Sequence, residues 1–315
     1  MLKTLTQPFR DWFHESTPEP EQDKNLSPEL LQRIKAIQVK TNYLVNDIMV
    51  GEYVSAFKGR GMEFSEVREY QPGDDVRLID WNVTARMNQP FIKEFKEERE
   101  LTLILLVDVS SSGGFGSAEK LKNEVSAEIA SILAFAAIKN NDKIGLIVFS
   151  DKIEHTIPPK KGKAHIWNII RTILNFKPEG KGTNLSLPLE YLLNVQKRKA
   201  TSFLISDFQD DGYEAKLKLA KQKHDLVTIS ITDPREETLP DVGLIQLEDA
   251  ESGETLLVDT HDKEMTEQYA KQFQQKRAKR KTYFTSIGID TIEIQTNRSL
   301  TDPIIRYFKM REKKH

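Results

Sequence analysis

Cysteine is absent from the 315 residues, which excludes disulfides, thiolate metal sites and a cysteine nucleophile. Long apolar runs are missing as well. The two most apolar segments, Leu101 to Val109 and Ile129 to Ile138, fall well short of the roughly 20 residues that span a bilayer. They read instead as a buried strand and a buried helix. Met1 to Phe13 has no continuous apolar core, and an acidic, proline-bearing stretch follows it, so no signal peptide is expected. Neither sign of charge dominates: 46 Lys and Arg stand against 48 Asp and Glu, a formal net charge of −2. That balance gives no global attraction to nucleic acid or to an anionic membrane. Together these absences point to a soluble, cytoplasmic protein with no direct membrane insertion. Motifs of common enzymes are also missing, namely a Walker lysine loop, HExxH and a G-x-S-x-G elbow. The six histidines show no ligand-like spacing.

What is present has an orderly layout. Glu15 to Ser27 is polar and charged, as in a flexible linker, and Ser27-Pro28-Glu29 opens a short predicted helix with Leu30, Leu31, Ile34 and Ile37 at helical spacing. From Leu101 the pattern switches to short apolar runs separated by longer helical segments. Strands are expected at Leu101 to Asp108, Lys143 to Phe149, Thr201 to Ser206 and Leu226 to Ile231, with an edge strand near His155 to Ile157. Helices are expected at about 119–139 (amphipathic), 164–175, 185–195, 213–223, 263–281 and 302–313. Alternation of this kind implies right-handed βαβ units and a mostly parallel sheet flanked by helices. Gly243 to Ala250 and Glu254 to Val258, around Ser252-Gly253, read as a β-hairpin insertion. The reading divides the chain into a flexible segment at 1–28, an N-terminal module at 29–98, an α/β domain at 99–296 and a basic C-terminal helix at 297–315.

The first apolar strand ends in Asp108-Val109-Ser110-Ser111-Ser112. A spacing of two lets Asp108, Ser110 and Ser112 point at one centre from a tight turn. One carboxylate and two hydroxyls form a hard-oxygen set suited to Mg²⁺, or to Mn²⁺ or Ca²⁺. Because such a set carries little negative charge, a bound cation stays electrophilic toward an acidic group on another molecule. Two later loops are expected at the same edge: Gly182-Thr183-Asn184, with the Thr183 hydroxyl at a helix start, and Ser206-Asp207, closing a downstream strand. Asp207 is expected to act directly or through a water. Taken singly, these residues are ordinary helix caps and loop carboxylates.

In this order, DxSxS, Gly-Thr and the strand-closing Asp resemble the metal-ion-dependent adhesion site of von Willebrand factor A domains. The resemblance implies a Rossmann-like fold over about 101–296 and the ligand set Asp108, Ser110, Ser112, Thr183 and Asp207. One departure is Gly113-Gly114-Phe115-Gly116, where that family often carries a methionine. Upstream, Arg68 to Trp81 (REYQPGDDVRLIDW) and Asn82 to Arg86 are dense in charges and aromatics, with a turn at Pro72-Gly73-Asp74-Asp75. Arg68 and Arg77 are expected to pair with Asp74, Asp75 and Asp80, and a packed Trp81 to clamp the module onto the domain. This block resembles the signature of the bacterial domain of unknown function 58 family, in which it precedes an A-like domain. The family implies an accessory role beside a MoxR-type AAA ATPase, in some members within aerotolerance (Bat) clusters. The partner would supply the acidic residue.

Enzyme readings fare worse. A haloacid dehalogenase-like phosphatase would use Asp108 but needs a second carboxylate two residues later, where Ser110 stands. The basic runs at 160–163 and 276–281 lack interleaved aromatics and read as solvated faces. The sequence therefore points to a non-catalytic, metal-dependent interaction protein, with a Mg²⁺-dependent phosphatase as the alternative.

Overall fold

A computed structural model describes residues 53, 56, 62–97, 101–114, 121–180, 182–248 and 253–313. The expected linker at 15–27 and the helix after Ser27 lie outside the described residues. Among the described residues, ten strands, numbered β1 to β10 in chain order, fall into three sheets.

The central sheet has six strands: β3 (Thr102–Asp108), β4 (Lys143–Phe149), β5 (Ile153–Lys160), β6 (Thr201–Ser206), β7 (Asp225–Thr232) and β10 (Asp290–Gln295). Their order is β10-β7-β6-β3-β4-β5, and every pairing is parallel except β4 with β5. The architecture is the expected mostly parallel α/β sheet. Alternate residues of β3 feed opposite faces, as the period of two requires. Leu103, Leu105 and Val107 join the core under α2 (Lys122–Lys139), α3 (Lys163–Asn175) and α8 (Thr301–Lys313). Ile104 and Leu106 join the core under α4 (Ser186–Val195), α5 (Glu214–Lys223) and α7 (Lys263–Ser286). With both faces covered, the inner strands are buried almost throughout, so β3 and β4 are nearly continuous apolar runs while β6 and β7 admit only small hydroxyl residues between their apolar ones.

Two elements depart from expectation. Helix α2 is buried on nearly all sides rather than amphipathic, because it lies between the sheet and α3. Strand β10 was not expected at all: in Asp-Thr-Ile-Glu-Ile-Gln only Ile292 and Ile294 are fully buried, as befits a strand at the sheet's edge. Helix α8 packs Ile304, Tyr307 and Phe308 into the first core, where Phe308 meets Tyr53 edge-on. The Tyr53 hydroxyl donates to Asp142, whose other oxygen accepts from the Leu101 amide.

The other sheets are two-stranded. Strands β8 (Leu244–Glu248) and β9 (Thr255–Asp259) form the expected hairpin between β7 and α7. Upstream, β1 (Met62–Glu69) pairs antiparallel with β2 (Phe91–Glu97), and their connection carries a 3-10 turn (Val76–Leu78) and the short helix α1 (Trp81–Met87). Here the structure corrects the expectation for Trp81, which is 70% exposed rather than packed. Arg68 does form the expected bidentate pair with Asp74 (2.8 and 2.8 Å). Among the described residues Arg77 has no ion pair, and Asp75 and Asp80 cap the turn and the helix instead.

Candidate functional site at the carboxyl edge of the sheet

Strand order reverses at β3, with β4 on one side and β6 on the other. Open parallel sheets bind ligands beyond the carboxyl ends of their strands at such a reversal. Asp108 ends β3 there, and Ser206 ends β6 with Asp207 immediately after it.

Past Asp108 the chain tightens into a 3-10 turn (Ser111–Gly114), closed by the Gly113 amide donating to the Ser110 carbonyl at 3.0 Å. A side chain on Gly113 would run into the Asn123 amide at the start of α2, so glycine is what lets this turn sit so close to that helix. The turn brings the Ser110 and Ser112 hydroxyls within 3.0 Å of one another. Both oxygens of Asp108 are engaged: Oδ1 accepts from the Ser110 amide (2.9 Å) and Oδ2 from the Ser206 hydroxyl (2.6 Å). Burial, and then the negative charge of Asp207, push the Asp108 carboxyl up to about 6. That shift marks a desolvated carboxylate served only by neutral donors.

Asp207 has a different partner from any the sequence suggested. Lys122, only 2% exposed, leads α2 into the cleft and donates to Asp207 Oδ2 at 2.7 Å and to Glu236 Oε1 at 2.6 Å. Burial alone would lower the Lys122 ammonium, but the two carboxylates outweigh it and hold the group above the usual lysine range. Glu236 belongs to the single-turn helix α6 (Pro234–Glu237), where it closes a capping box with Asp233. Arg280 of α7 fastens the same corner from outside, donating to the Asp207 and Phe208 carbonyls (3.0 and 3.2 Å). Its guanidinium lies 5.5 Å from the centre of the Phe208 ring, and Phe208 itself holds a left-handed φ of 58°. A bulky residue there is strained, and the clamp offsets that strain.

Asp108, Ser110, Ser112, Lys122, Ser206 and Asp207 thus line one cleft. Thr183, the fifth residue expected at the site, is not among the lining residues. Its loop is fixed by the Gly180 amide on Glu154 (2.8 Å), the Asn184 amide on the Ser150 carbonyl (3.0 Å) and the Leu185 amide on Asp210 (2.8 Å). A side chain on Gly180 would strike Ser150 and Asp151, so this loop too depends on a glycine at its point of closest approach.

The donor set meets the chemistry of a hard divalent cation in part. Asp108, Ser110 and Ser112 offer one desolvated carboxylate and two adjacent hydroxyls, whereas Asp207 already faces an ammonium. Among the described residues, no three His, Cys, Asp or Glu side chains gather as a metal-binding group. Any cation held here therefore relies on hydroxyls rather than on clustered carboxylates or imidazoles.

Family comparison adds to this geometry. The family described as Protein of unknown function DUF58 matches residues 66–279. The chain belongs to the DUF58 family. The match takes in the Arg68 to Trp81 block as well as the Asp108 cleft. This DUF58 protein is 28% identical over 289 residues, 91% of each chain, to an uncharacterized protein of Mycobacterium tuberculosis and equally to one of Mycobacterium bovis. Among solved structures it is similar to BatB from Bacteroides thetaiotaomicron, with 16% identity and a TM-score of 0.45 over 68% of this chain and 100% of that one. Among the described residues no helix is long and apolar enough to cross a membrane.

Proposed function

We propose that this DUF58 protein is a non-catalytic, metal-dependent interaction module acting beside a MoxR-type AAA ATPase in the assembly or maturation of protein complexes. The observation that carries the reading is the convergence of Asp108, Ser110 and Ser112 at the sheet's reversal point, with the carboxylate desolvated and served only by neutral donors. A bound Mg²⁺, Mn²⁺ or Ca²⁺ would supply an open coordination position for a carboxylate of the partner. The chain's own part is to hold the oxygens. Ser206 and the Ser110 amide fix the rotamer of Asp108, and the 3-10 turn sets the two hydroxyls side by side. Lys122 ties Asp207 to Glu236, which makes Asp207 a support for the cleft wall rather than a direct ligand. Thr183, on the loop fixed against the Ser150 carbonyl just past β4, remains in the proposed ligand set.

Non-catalytic action is favoured because each reactive group is already engaged. The Asp108 oxygens and the Lys122 ammonium have the partners given above, and the Ser110 hydroxyl faces another hydroxyl. The partner assignment draws on the family resemblance, and on this reading the protein acts in the cytoplasm with its ATPase.

The test is an affinity pull-down from native lysate in Mg²⁺ or in EDTA, with wild type and Asp108→Ala. The reading predicts an AAA ATPase retained only by wild type in Mg²⁺. Equal recovery in every arm would end it. Mg²⁺-dependent hydrolysis of p-nitrophenyl phosphate, lost in Asp108→Asn, would replace it with the phosphatase alternative.

A further inference from the structure

The block from Arg68 to Trp81 contributes nothing to the Asp108 cleft, and its three aspartates are used internally. Asp74 accepts from the Arg68 guanidinium and from the Gln71 amide, all at 2.8 Å. Asp75 caps the 3-10 turn through the Arg77 amide (3.0 Å). Asp80 caps α1 through the Asn82 and Val83 amides (3.0 and 3.2 Å) and lies 3.5 Å from Lys93 of β2. The Thr84 hydroxyl accepts from the Phe91 amide at 3.0 Å, fastening α1 to the hairpin. Five short-range anchors therefore hold a 12-residue stretch, Val76 to Met87, in one shape.

That shape turns the wrong residues outward for a solvated surface. Val76, Leu78, Trp81 and Met87 are 60%, 36%, 70% and 60% exposed. Arg77 and Arg86 are exposed too, and among the described residues neither guanidinium has an ion pair, while Asp80, the one carboxylate of the stretch, is turned inward onto its caps. Tryptophan, methionine and arginine are the residue types enriched at protein interfaces, and Trp and Arg dominate their energetics. Anchors that pre-order the surface also remove much of the entropic cost of docking.

We propose that residues 76–87 form a docking surface for an acidic segment of a partner protein, one in which Asp or Glu side chains flank apolar anchors. The anchors cover Trp81 and its apolar neighbours, and the carboxylates meet Arg77 and Arg86. Charge decides against an anionic bilayer as the occupant. A bilayer would face the whole module, which carries six carboxylates against four cationic side chains between residues 66 and 94, whereas a short peptide can set its carboxylates against Arg77 and Arg86 alone. The surface is separate from the Asp108 cleft and independent of any metal there.

The test pans a random dodecamer peptide-display library against the full chain, then measures enriched peptides by fluorescence anisotropy. Enriched sequences should combine Asp or Glu with Leu, Phe or Trp. They should bind Trp81→Ala and the double variant Arg77→Glu/Arg86→Glu at least tenfold more weakly than wild type, and be indifferent to EDTA. Far-UV circular dichroism should be unchanged in these variants, since the side chains removed are exposed. Failure to enrich, enrichment of basic peptides, or equal binding by Trp81→Ala would overturn the proposal. It would equally be overturned by EDTA-sensitive binding, by Trp81-dependent binding of the protein to phosphatidylglycerol vesicles, or by Trp81-dependent self-association in light scattering.

Discussion

Replacing Lys122 with methionine should strip the cleft wall of a buried charged cross-link between α2, β6 and α6. The side chains of Lys122, Asp207 and Glu236 are 2%, 4% and 13% exposed, so water does little to screen them. At 2.7 and 2.6 Å, and with an effective dielectric of about 20, each contact is worth about 6 kcal/mol before desolvation. Desolvation cancels most of that, and removing one partner of a buried pair typically costs about 3–5 kcal/mol. With an m-value of about 4 kcal/mol/M in guanidinium, the unfolding midpoint followed by far-UV circular dichroism should fall by about 1 M. Methionine keeps the apolar stem, so the loss reports the charge. Adding Asp207→Asn should recover part of it, because one stranded carboxylate disappears. Lys152→Met provides the contrast. Its partner Glu179 is just as near, at 2.5 Å, but the pair sits in solvent, 46% and 80% exposed, and the midpoint should not move. A Lys122→Met midpoint within error of wild type would refute the reasoning.

Other outcomes follow from buried titrating groups and from the C-terminal helix. The Asp108 carboxyl, pushed up to about 6 from an unfolded value near 3.9, contributes stability that is intact at low pH and lost as pH rises through 6. Asp108→Asn should therefore raise the stability of the metal-free protein at pH 7 by about 2–3 kcal/mol; a destabilised variant would count against it. His224, 1% exposed and pushed down to about 4 by burial and then by Lys223, has the opposite sign. Its contribution is intact above pH 6.5 and lost by about 3 kcal/mol as pH falls through 4, so His224→Leu should flatten the acid side of the stability profile. An unchanged slope between pH 4 and 6.5 would contradict this. Arg311 of α8 donates to the Ala56 carbonyl (3.1 Å) and the Tyr307 hydroxyl (2.6 Å) and pairs with Asp225. Arg311→Met should cost about 3 kcal/mol and open α8 to limited proteolysis, with an intact helix under protease as the contrary result.

How far the sequence spoke depended on whether a residue's role was local. Strands β3 and β4 were legible as nearly continuous apolar runs, since a strand covered on both faces is buried almost throughout, and β6 and β7 as short apolar runs mixed with small hydroxyl residues. Strand β10 was not, because at the sheet's edge its polar residues alternate with just two buried isoleucines. Asp108, Ser110 and Ser112 could be read from their spacing. Lys122 could not, because a lysine opening a helix is ordinarily solvated, and its partner Asp207 lies 85 positions away. Arg280 was hidden in the same way within a basic run that reads as a solvated face, although it clamps the backbone after Asp207. Trp81 was misjudged because density of aromatics and charges signals order without saying which side chains face inward. The capping carboxylates Asp75 and Asp80 supply much of that order without Trp81.

The central claim, that the Asp108 loop holds a divalent cation, is tested most directly by isothermal titration of Mg²⁺ into the EDTA-stripped full chain, with Asp108→Ala in parallel. The account predicts saturable one-to-one binding to wild type and none to the variant. A wild type that takes up no Mg²⁺, Mn²⁺ or Ca²⁺, or a variant that binds as well as wild type, would contradict it.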